Sequence, residues 1–173
     1  DTDIFVGWSS ASLEAIPIVQ ARGGKVVLER GSTHILHQLK VLEDGYEALD
    51  LSFDGTDPQV IDREIEEYDL ANAISVPTKF VRDTFVQKGV PADKIIINPY
   101  GSHLGQPSAL KKVACDGPLK ILFVGSVGVR KGAPWLIESM KLFDKPAVCR
   151  FAGPVEQAIK HRYFSELPSQ VKF

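Results

Sequence analysis

The sequence has few of the residues that mark several common classes of protein. Its 173 residues include only two cysteines, Cys115 and Cys149, which are far apart and lack the spacing of zinc ligands. We therefore expect reduced thiols rather than a disulfide or a metal site, and a cytoplasmic protein. No apolar run is long enough to span a membrane, and the N-terminus has no basic segment typical of a signal peptide.

The sequence also has no marked excess of charge of either sign. Its 20 basic and 22 acidic residues give a formal net charge of −2, so there is no electrostatic reason to expect a nucleic-acid partner. Apolar residues make up 44% of the chain and charged residues 24%. These proportions are ordinary for a globular protein with a hydrophobic core.

Short apolar runs alternate with amphipathic segments along the chain. Because strands and helices that alternate through short connections favour parallel pairing, the predicted fold class is α/β with parallel sheets. The chain has no initial methionine and ends inside a predicted strand, so we expect a fragment of a longer protein. The predicted strands are residues 3–8, 25–29, 72–76, 94–98, 121–124, 147–152 and 170–173.

Two of the predicted helices carry more specific expectations. The first is expected to begin at Ser9 or Ser10 and to end by Ala21, with a kink or an early end at Pro17. Another is expected to begin after Asp57, which serves as its N-cap. Its charged residues are predicted to form a solvated face: Asp62, Arg63, Glu64, Glu66 and Glu67.

The most distinctive stretch is residues 119–132, LKILFVGSVGVRKG. Its apolar run, residues 121–124, predicts a strand buried on both faces, as parallel strands usually are. Residues 94–98, KIIIN, predict another buried strand. A glycine turn follows the run at 121–124, and the next residues, APWLIESMKLF, have the spacing of an amphipathic helix.

The turn after residue 124 suits a phosphorylated ligand. Gly125 lets the backbone approach a ligand closely, and the first amides of the next helix are expected to point toward it. Arg130 and Lys131 add positive charge. The alternative is a solvated basic turn. The glycine spacing differs from both the P-loop and the dinucleotide-binding pattern G-x-G-x-x-G.

A second candidate region follows the strand at residues 25–29. Arg30 begins a loop at the carboxyl end of this strand, where open α/β sheets usually bind ligands. His34 falls in the first turn of the next helix and is placed to face the cleft. The alternative for His34 is a packing residue or a surface residue.

Three stretches together resemble retaining glycosyltransferases of family 4 (glycosyl transferases group 1). Residues 68–101, YDLANAISVPTKFVRDTFVQKGVPADKIIINPYG, resemble a segment near the end of that family's first domain. The sequence LFVGSVGVRKG resembles the start of the second domain, and FAGPVE resembles its next strand–helix unit. The resemblance extends over residues 68–173 and is loose before them.

The resemblance implies a GT-B architecture of two Rossmann-like units, each incomplete in this chain. Residues 1–104 would be the C-terminal part of the acceptor-side domain, residues 105–118 a linker, and residues 119–173 the first half of the nucleotide-sugar-binding domain. The implied function is transfer of a sugar from a nucleoside diphosphate sugar to an acceptor hydroxyl with retention. No metal or other cofactor is implied.

The resemblance also assigns donor-binding residues. Lys131 matches the lysine that contacts the donor diphosphate. Gly125 matches the glycine of the same loop, and Gly153 matches a glycine where the backbone passes close to the nucleotide. The family often has an arginine directly after the first glycine, where this chain has Ser126, and Arg130 is expected to compensate in part.

In the first domain, many members carry a histidine just after the strand that aligns with residues 25–29. Arg30 stands nearest that position and His34 lies a few residues later, so these two are the candidate catalytic residues. Two hallmarks of the family, a glycine-rich acceptor loop and a Glu-x7-Glu element, have no counterpart here. Both absences fit the expectation of a fragment, which we expect to be inactive alone.

The expected partners are a nucleotide sugar and an acceptor that the sequence does not identify, whether a sugar, a lipid or a small molecule. Nucleic acid is not expected, and peripheral membrane association of the full enzyme stays open. An alternative from a different class is a non-catalytic α/β module that binds a nucleotide or a protein partner. A sugar-nucleotide epimerase is less favoured, because its acid–base residues are not found.

Overall fold

The computed structural model describes residues 3–101 and 117–173. It confirms the predicted α/β class, because both of its sheets contain only parallel strands. The first sheet has the order β1-β2-β3-β4, and the second has the order β5-β6-β7. The strands are β1 (Ile4–Trp8), β2 (Lys25–Glu29), β3 (Ala73–Val76), β4 (Ile95–Ile97), β5 (Leu119–Val124), β6 (Ala147–Ala152) and β7 (Val171–Lys172).

Helices separate most of the strands along the chain, as the parallel pairing requires. The described residues form six of them: α1 (Ala15–Ala21), α2 (Ile35–Glu47), α3 (Pro58–Leu70), α4 (Lys79–Gln87), α5 (Ala133–Met140) and α6 (Gln157–Tyr163). Asp57 caps α3 as predicted, since its carboxylate accepts a hydrogen bond from the Gln59 amide at 2.9 Å. Across the described part of the chain, no helix is long and apolar enough to cross a membrane.

The described residues divide into two compact units. Unit 1 contains residues 3–41 and 54–101, and unit 2 contains residues 42–53 and 117–173. Helix α2 therefore begins in unit 1 and ends in unit 2. Of the predicted linker, only residues 117 and 118 lie among the described residues.

The core of unit 1 lies on one face of its sheet. Alternate strand residues face it, since side chains alternate across a strand. The residues of the opposite face include Val6, which is 57% exposed, and Ile96, which is 49% exposed. The prediction that residues 94–98 form a buried strand is therefore wrong for this face. The core residues are Val26, Leu28, Ile74, Val76 and Ile95 from the strands, packed with Ile16, Ile35, Tyr68, Val81 and Phe85.

Unit 2 is built in the same way. Cys149 and Phe151 of β6 are buried with residues of α5 and α6, such as Ile137 and Ile159. On the other face of the sheet, Leu122 is 68% exposed and Val124 is 74% exposed. The prediction that residues 121–124 are buried on both faces is therefore wrong, because the described helices of this unit pack on one face only.

The structure describes one of the two cysteines. Cys149 is a free, buried thiol, and its burial raises the pKa of the thiol above the usual value. Its environment is thus that of a packing residue in the core of unit 2. Cys115 lies outside the described residues.

Helix α1 begins later than predicted. Its first residue is Ala15, and neither Ser9 nor Ser10 caps it, because residues 9–14 form a loop instead. Ser10 takes a φ of 72°, a left-handed conformation that interrupts a helix. Pro17 consequently lies in the first turn of the shorter helix, where its missing N–H removes no helical hydrogen bond.

Candidate functional site

Two glycine turns meet at the carboxyl edge of the sheet in unit 2. Gly125 follows β5 with a φ of 137°, and Gly153 follows the adjacent strand β6 with a φ of 147°. The Gly125 amide donates to the Ala152 carbonyl at 2.9 Å. A Cβ atom at position 153 would lie 2.7 Å from the carbonyl carbon of Gly125 and closer still to its oxygen. Glycine at position 153 is therefore required for this approach of the two turns.

The residues after the two glycines continue to pair with each other. The Val127 amide donates to the Pro154 carbonyl at 2.8 Å, and the Glu156 amide donates to the Val127 carbonyl at 3.1 Å. Residues Val129–Lys131 then form a 3-10 turn, and Gly132, with a φ of 74°, leads into α5. Backbone hydrogen bonds thus fix the position from which the cationic residues project.

The predicted donor-binding side chains all lie on this turn or beside it. Ser126, Arg130 and Lys131 are exposed, and neither cation forms an ion pair with another described residue. The structure therefore brings these three residues together with Gly125 and Gly153. Within the described ranges, no group of three or more His, Cys, Asp or Glu side chains is arranged to hold a metal ion.

The amides at the start of α5 are placed differently from the prediction. The Ala133 amide donates to the Gly128 carbonyl at 3.2 Å, and Pro134 has no N–H to offer. The expectation that the first helical amides point to a ligand is therefore wrong for these two positions. On the turn, the backbone amides of Ser126, Gly128 and Arg130 have no acceptor among the described residues.

Glu156 is a residue of this site whose role the sequence did not reveal. Its carboxylate accepts a hydrogen bond from the Tyr46 hydroxyl at 3.0 Å and a weaker one from the Val129 amide at 3.4 Å. It also fills the space that a side chain at Gly128 would need. Tyr46 lies 110 residues away in the chain, so spacing offered no signal for this contact. Through these contacts the Glu156 carboxylate stabilises the turn.

In unit 1, Arg30 is held by a buried carboxylate. Its guanidinium donates to Glu64 at 2.7 Å, with side-chain exposures of 11% for Arg30 and 3% for Glu64. Glu64 also accepts hydrogen bonds from the Ser10 hydroxyl and from the Tyr68 hydroxyl. The prediction that Glu64 lies on a solvated face is therefore wrong, because its helix turns this carboxylate toward the loops that follow β1 and β2.

Glu67, one turn further along α3, is fully buried and is likewise not on a solvated face. Its carboxylate accepts hydrogen bonds from the amides of Ser10, Ser12 and Leu13 at 2.6, 2.8 and 2.9 Å. These amides belong to the loop that precedes α1, so they have no helical partners. One buried carboxylate therefore shapes the loop at the carboxyl end of β1.

His34 is buried, with 4% of its surface exposed. It directly precedes α2, and its ring packs against the rings of Tyr68 and Phe85 with centroids 5.0 Å away in each case. Burial lowers the pKa of His34 to about 4, and the positive charges of Lys88 and Arg30 act in the same direction. His34 and Arg30 do not hydrogen-bond to each other. The structure therefore does not join these two candidate catalytic residues in one site.

The lowered pKa of His34 predicts a specific dependence of stability on pH. Because the unfolded chain binds a proton near pH 6.5 and the folded chain does not until about pH 4, stability falls as the pH falls through this window. From pH 7 to pH 5 the expected loss from His34 is about 2 kcal/mol. Urea unfolding at the two pH values measures it. The loss should shrink in His34→Phe and persist in His37→Gln; equal losses in both variants would contradict it.

The fold and the site together define a class: parallel α/β units, one of which presents a glycine turn with two exposed cations at its carboxyl edge. Comparison of the chain with models of protein families and with curated proteins finds no match. Exposed cations and open amides beside close-packed glycines are groups that can bind an anion.

Proposed function

We propose that this chain is part of a retaining glycosyltransferase that moves a sugar from a nucleoside diphosphate sugar to an acceptor hydroxyl. The observation that carries the proposal is the pair of glycine turns at Gly125 and Gly153, with Arg130 and Lys131 exposed beside them. The motif resemblance and the parallel α/β fold add support. On this proposal the protein is of the GT-B type, acts in the cytoplasm and has a nucleotide sugar as its principal ligand.

The glycine turns suit a diphosphate for a geometric reason. Ligands of open α/β sheets bind at the carboxyl ends of the strands, and here two neighbouring strands end in glycines with positive φ. Without Cβ atoms, the backbone offers close approach and the open amides of Ser126 and Arg130 can donate to phosphate oxygens. The Ser126 hydroxyl adds a third donor beside Gly125.

Charge supplies the chemical part of the proposal. When a sugar leaves its donor, negative charge develops on the departing diphosphate, and preorganised positive groups stabilise it. Lys131 places a compact ammonium at this position, and Arg130 adds a forked donor that can bind two phosphate oxygens. In this scheme the protein itself supplies the charge that the leaving group needs.

The first unit has a smaller part in the proposal. Arg30 is already paired with Glu64, and His34 is enclosed by aromatic rings. Neither observation places these two side chains in a sugar-binding site, so their catalytic roles stay predictions. The proposal therefore rests on unit 2.

Nucleotide binding to the 173-residue chain tests this proposal. One of UDP, GDP and ADP is expected to bind in calorimetric titration, and Lys131→Ala should weaken that binding about tenfold or more, since a charged hydrogen bond is lost. Lys160→Ala is the control, because Lys160 is an exposed lysine of the same unit on α6. Failure of all three nucleotides to bind, or equal affinities in the two variants, would overturn the assignment.

Sugar transfer is a separate measurement. When the complete enzyme is assayed with an acceptor, the matching nucleotide sugar should release its nucleoside diphosphate. Lys131→Ala should sharply reduce this turnover. Nucleotide binding without any turnover of the complete protein would instead favour the non-catalytic binding module. Wild-type turnover in Lys131→Ala would contradict the role of that lysine.

A further inference from the structure

Unit 1 contains a cavity of about 170 Å³ that the proposed transferase does not use. It lies among the start of α2, the end of α3 and the connection from α4 to β4, and buried His34 is part of its lining. Its volume is that of about five or six water molecules. The cavity is thus large enough for a small ligand and too small for a nucleotide sugar.

Two lysines give this cavity a positive charge. Lys88 and Lys94 both line it, and Asp69 is the one acidic residue of the lining. The Lys94 ammonium is fixed in place, because it donates to the Asp69 backbone carbonyl at 2.7 Å. Neither lysine forms an ion pair with a described residue. An anion in the cavity would therefore meet two cations that no described carboxylate pairs with.

His34 adds a neutral donor to the same wall. Its Nδ1 accepts a hydrogen bond from the Leu36 amide at 3.2 Å, so the neutral ring carries its proton on Nε2. The contacts with Tyr68 and Phe85 hold the ring in one orientation. A donor that is fixed in this way costs little entropy when a ligand binds.

The remaining wall is apolar, and it determines the kind of anion. Leu36, Ile65, Val90 and Pro91 line this side of the cavity. Pockets that combine an apolar wall with a few placed polar groups favour ligands with both characters. We propose that this cavity binds a small carboxylic acid, whose carboxylate faces Lys88, Lys94 and His34 and whose short hydrocarbon body contacts the apolar wall.

Three probe molecules separate the two parts of this proposal in calorimetric titrations of the 173-residue chain. Butanoate is expected to bind saturably. Butan-1-ol has the same number of carbon atoms without the charge and is expected not to saturate. Inorganic phosphate has charge without the body and should bind at least about tenfold more weakly than butanoate, because it forfeits the burial of several methylene groups.

Matched lysine variants locate the binding. Lys88→Met should weaken butanoate binding about tenfold, whereas Lys79→Met, at the other end of α4 and outside the cavity lining, should leave it unchanged. Proton NMR gives a second measurement, since butanoate should shift the ring signals of His34 in the wild-type chain and not in Lys88→Met. The proposal is overturned if butanoate does not saturate, if phosphate binds as tightly, or if both variants behave alike.

This inference concerns unit 1 alone and does not depend on the proposed transferase. Nucleotide binding at Lys131 can fail while butanoate binding at Lys88 succeeds, and the reverse holds equally. The two sets of variants therefore test the two proposals independently.

Discussion

Replacing Glu67 by alanine is expected to lower the free energy of unfolding of unit 1 by about 3–5 kcal/mol. The carboxylate is fully buried, and it accepts hydrogen bonds from the amides of Ser10, Ser12 and Leu13. Its removal leaves these donors without an acceptor, and Ser12 is buried where water reaches poorly. The Arg63 guanidinium, whose Nε lies 3.7 Å from the carboxylate, also loses a partner.

The measurement is urea unfolding followed by the fluorescence of Trp8, which belongs to unit 1, in a Trp135→Phe background. Glu66→Ala is the matched control, because Glu66 is the exposed neighbour on the same helix, and a change within about 0.5 kcal/mol is expected there. Glu67→Gln keeps one acceptor oxygen and should fall between the two. Equal unfolding midpoints for Glu67→Ala and Glu66→Ala would show that the carboxylate does not hold the loop.

Replacing Gly153 by alanine is expected to destabilise unit 2 by about 2–5 kcal/mol. Two costs combine, since alanine disfavours the φ of 147° and its Cβ would overlap the backbone of Gly125. Backbone atoms cannot turn aside as a flexible side chain can. The turn that carries Arg130 and Lys131 would therefore shift away from its position beside β6.

The fluorescence of Trp135 in a Trp8→Phe background follows the unfolding of unit 2. Gly117→Ala is the control, because a Cβ atom there would lie within 4 Å of no atom among the described residues. That control should change the free energy of unfolding by less than about 1 kcal/mol. Any such change should be stabilising, because alanine reduces the conformational entropy of the unfolded chain. If Gly153→Ala unfolds at the same urea concentration as Gly117→Ala, the close approach of the two turns is not required.

The strands and most helix boundaries follow from local features of the sequence. The β4 segment, for example, is bounded by turn residues, and α3 begins where Asp57 can cap and Pro58 can follow. These features act over a few residues, so the sequence alone predicts them. The glycine turns after β5 and β6 are local in the same sense, whereas Gly125, Lys131 and Gly153 were assigned to one site by the motif resemblance.

The burial of charged groups could not be predicted in this way. Glu64, Glu66 and Glu67 look alike along α3, yet two of them are buried and one is exposed. The difference arises because loop amides and Arg30, which are more than 30 residues away in the chain, supply the partners that a buried carboxylate needs. The spacing of residues along the sequence does not identify those partners.

The order of apolar runs, caps and glycines thus establishes parallel α/β units and the glycine turn with its two cations, because these depend on short-range periodicity and backbone conformation. The packing of distant segments establishes the rest. It brings Tyr46 to Glu156 behind the turn, buries Glu67 under the loop after β1, and forms the cavity beside His34. Each of these requires a partner far away in the chain, and such partners meet when the chain folds.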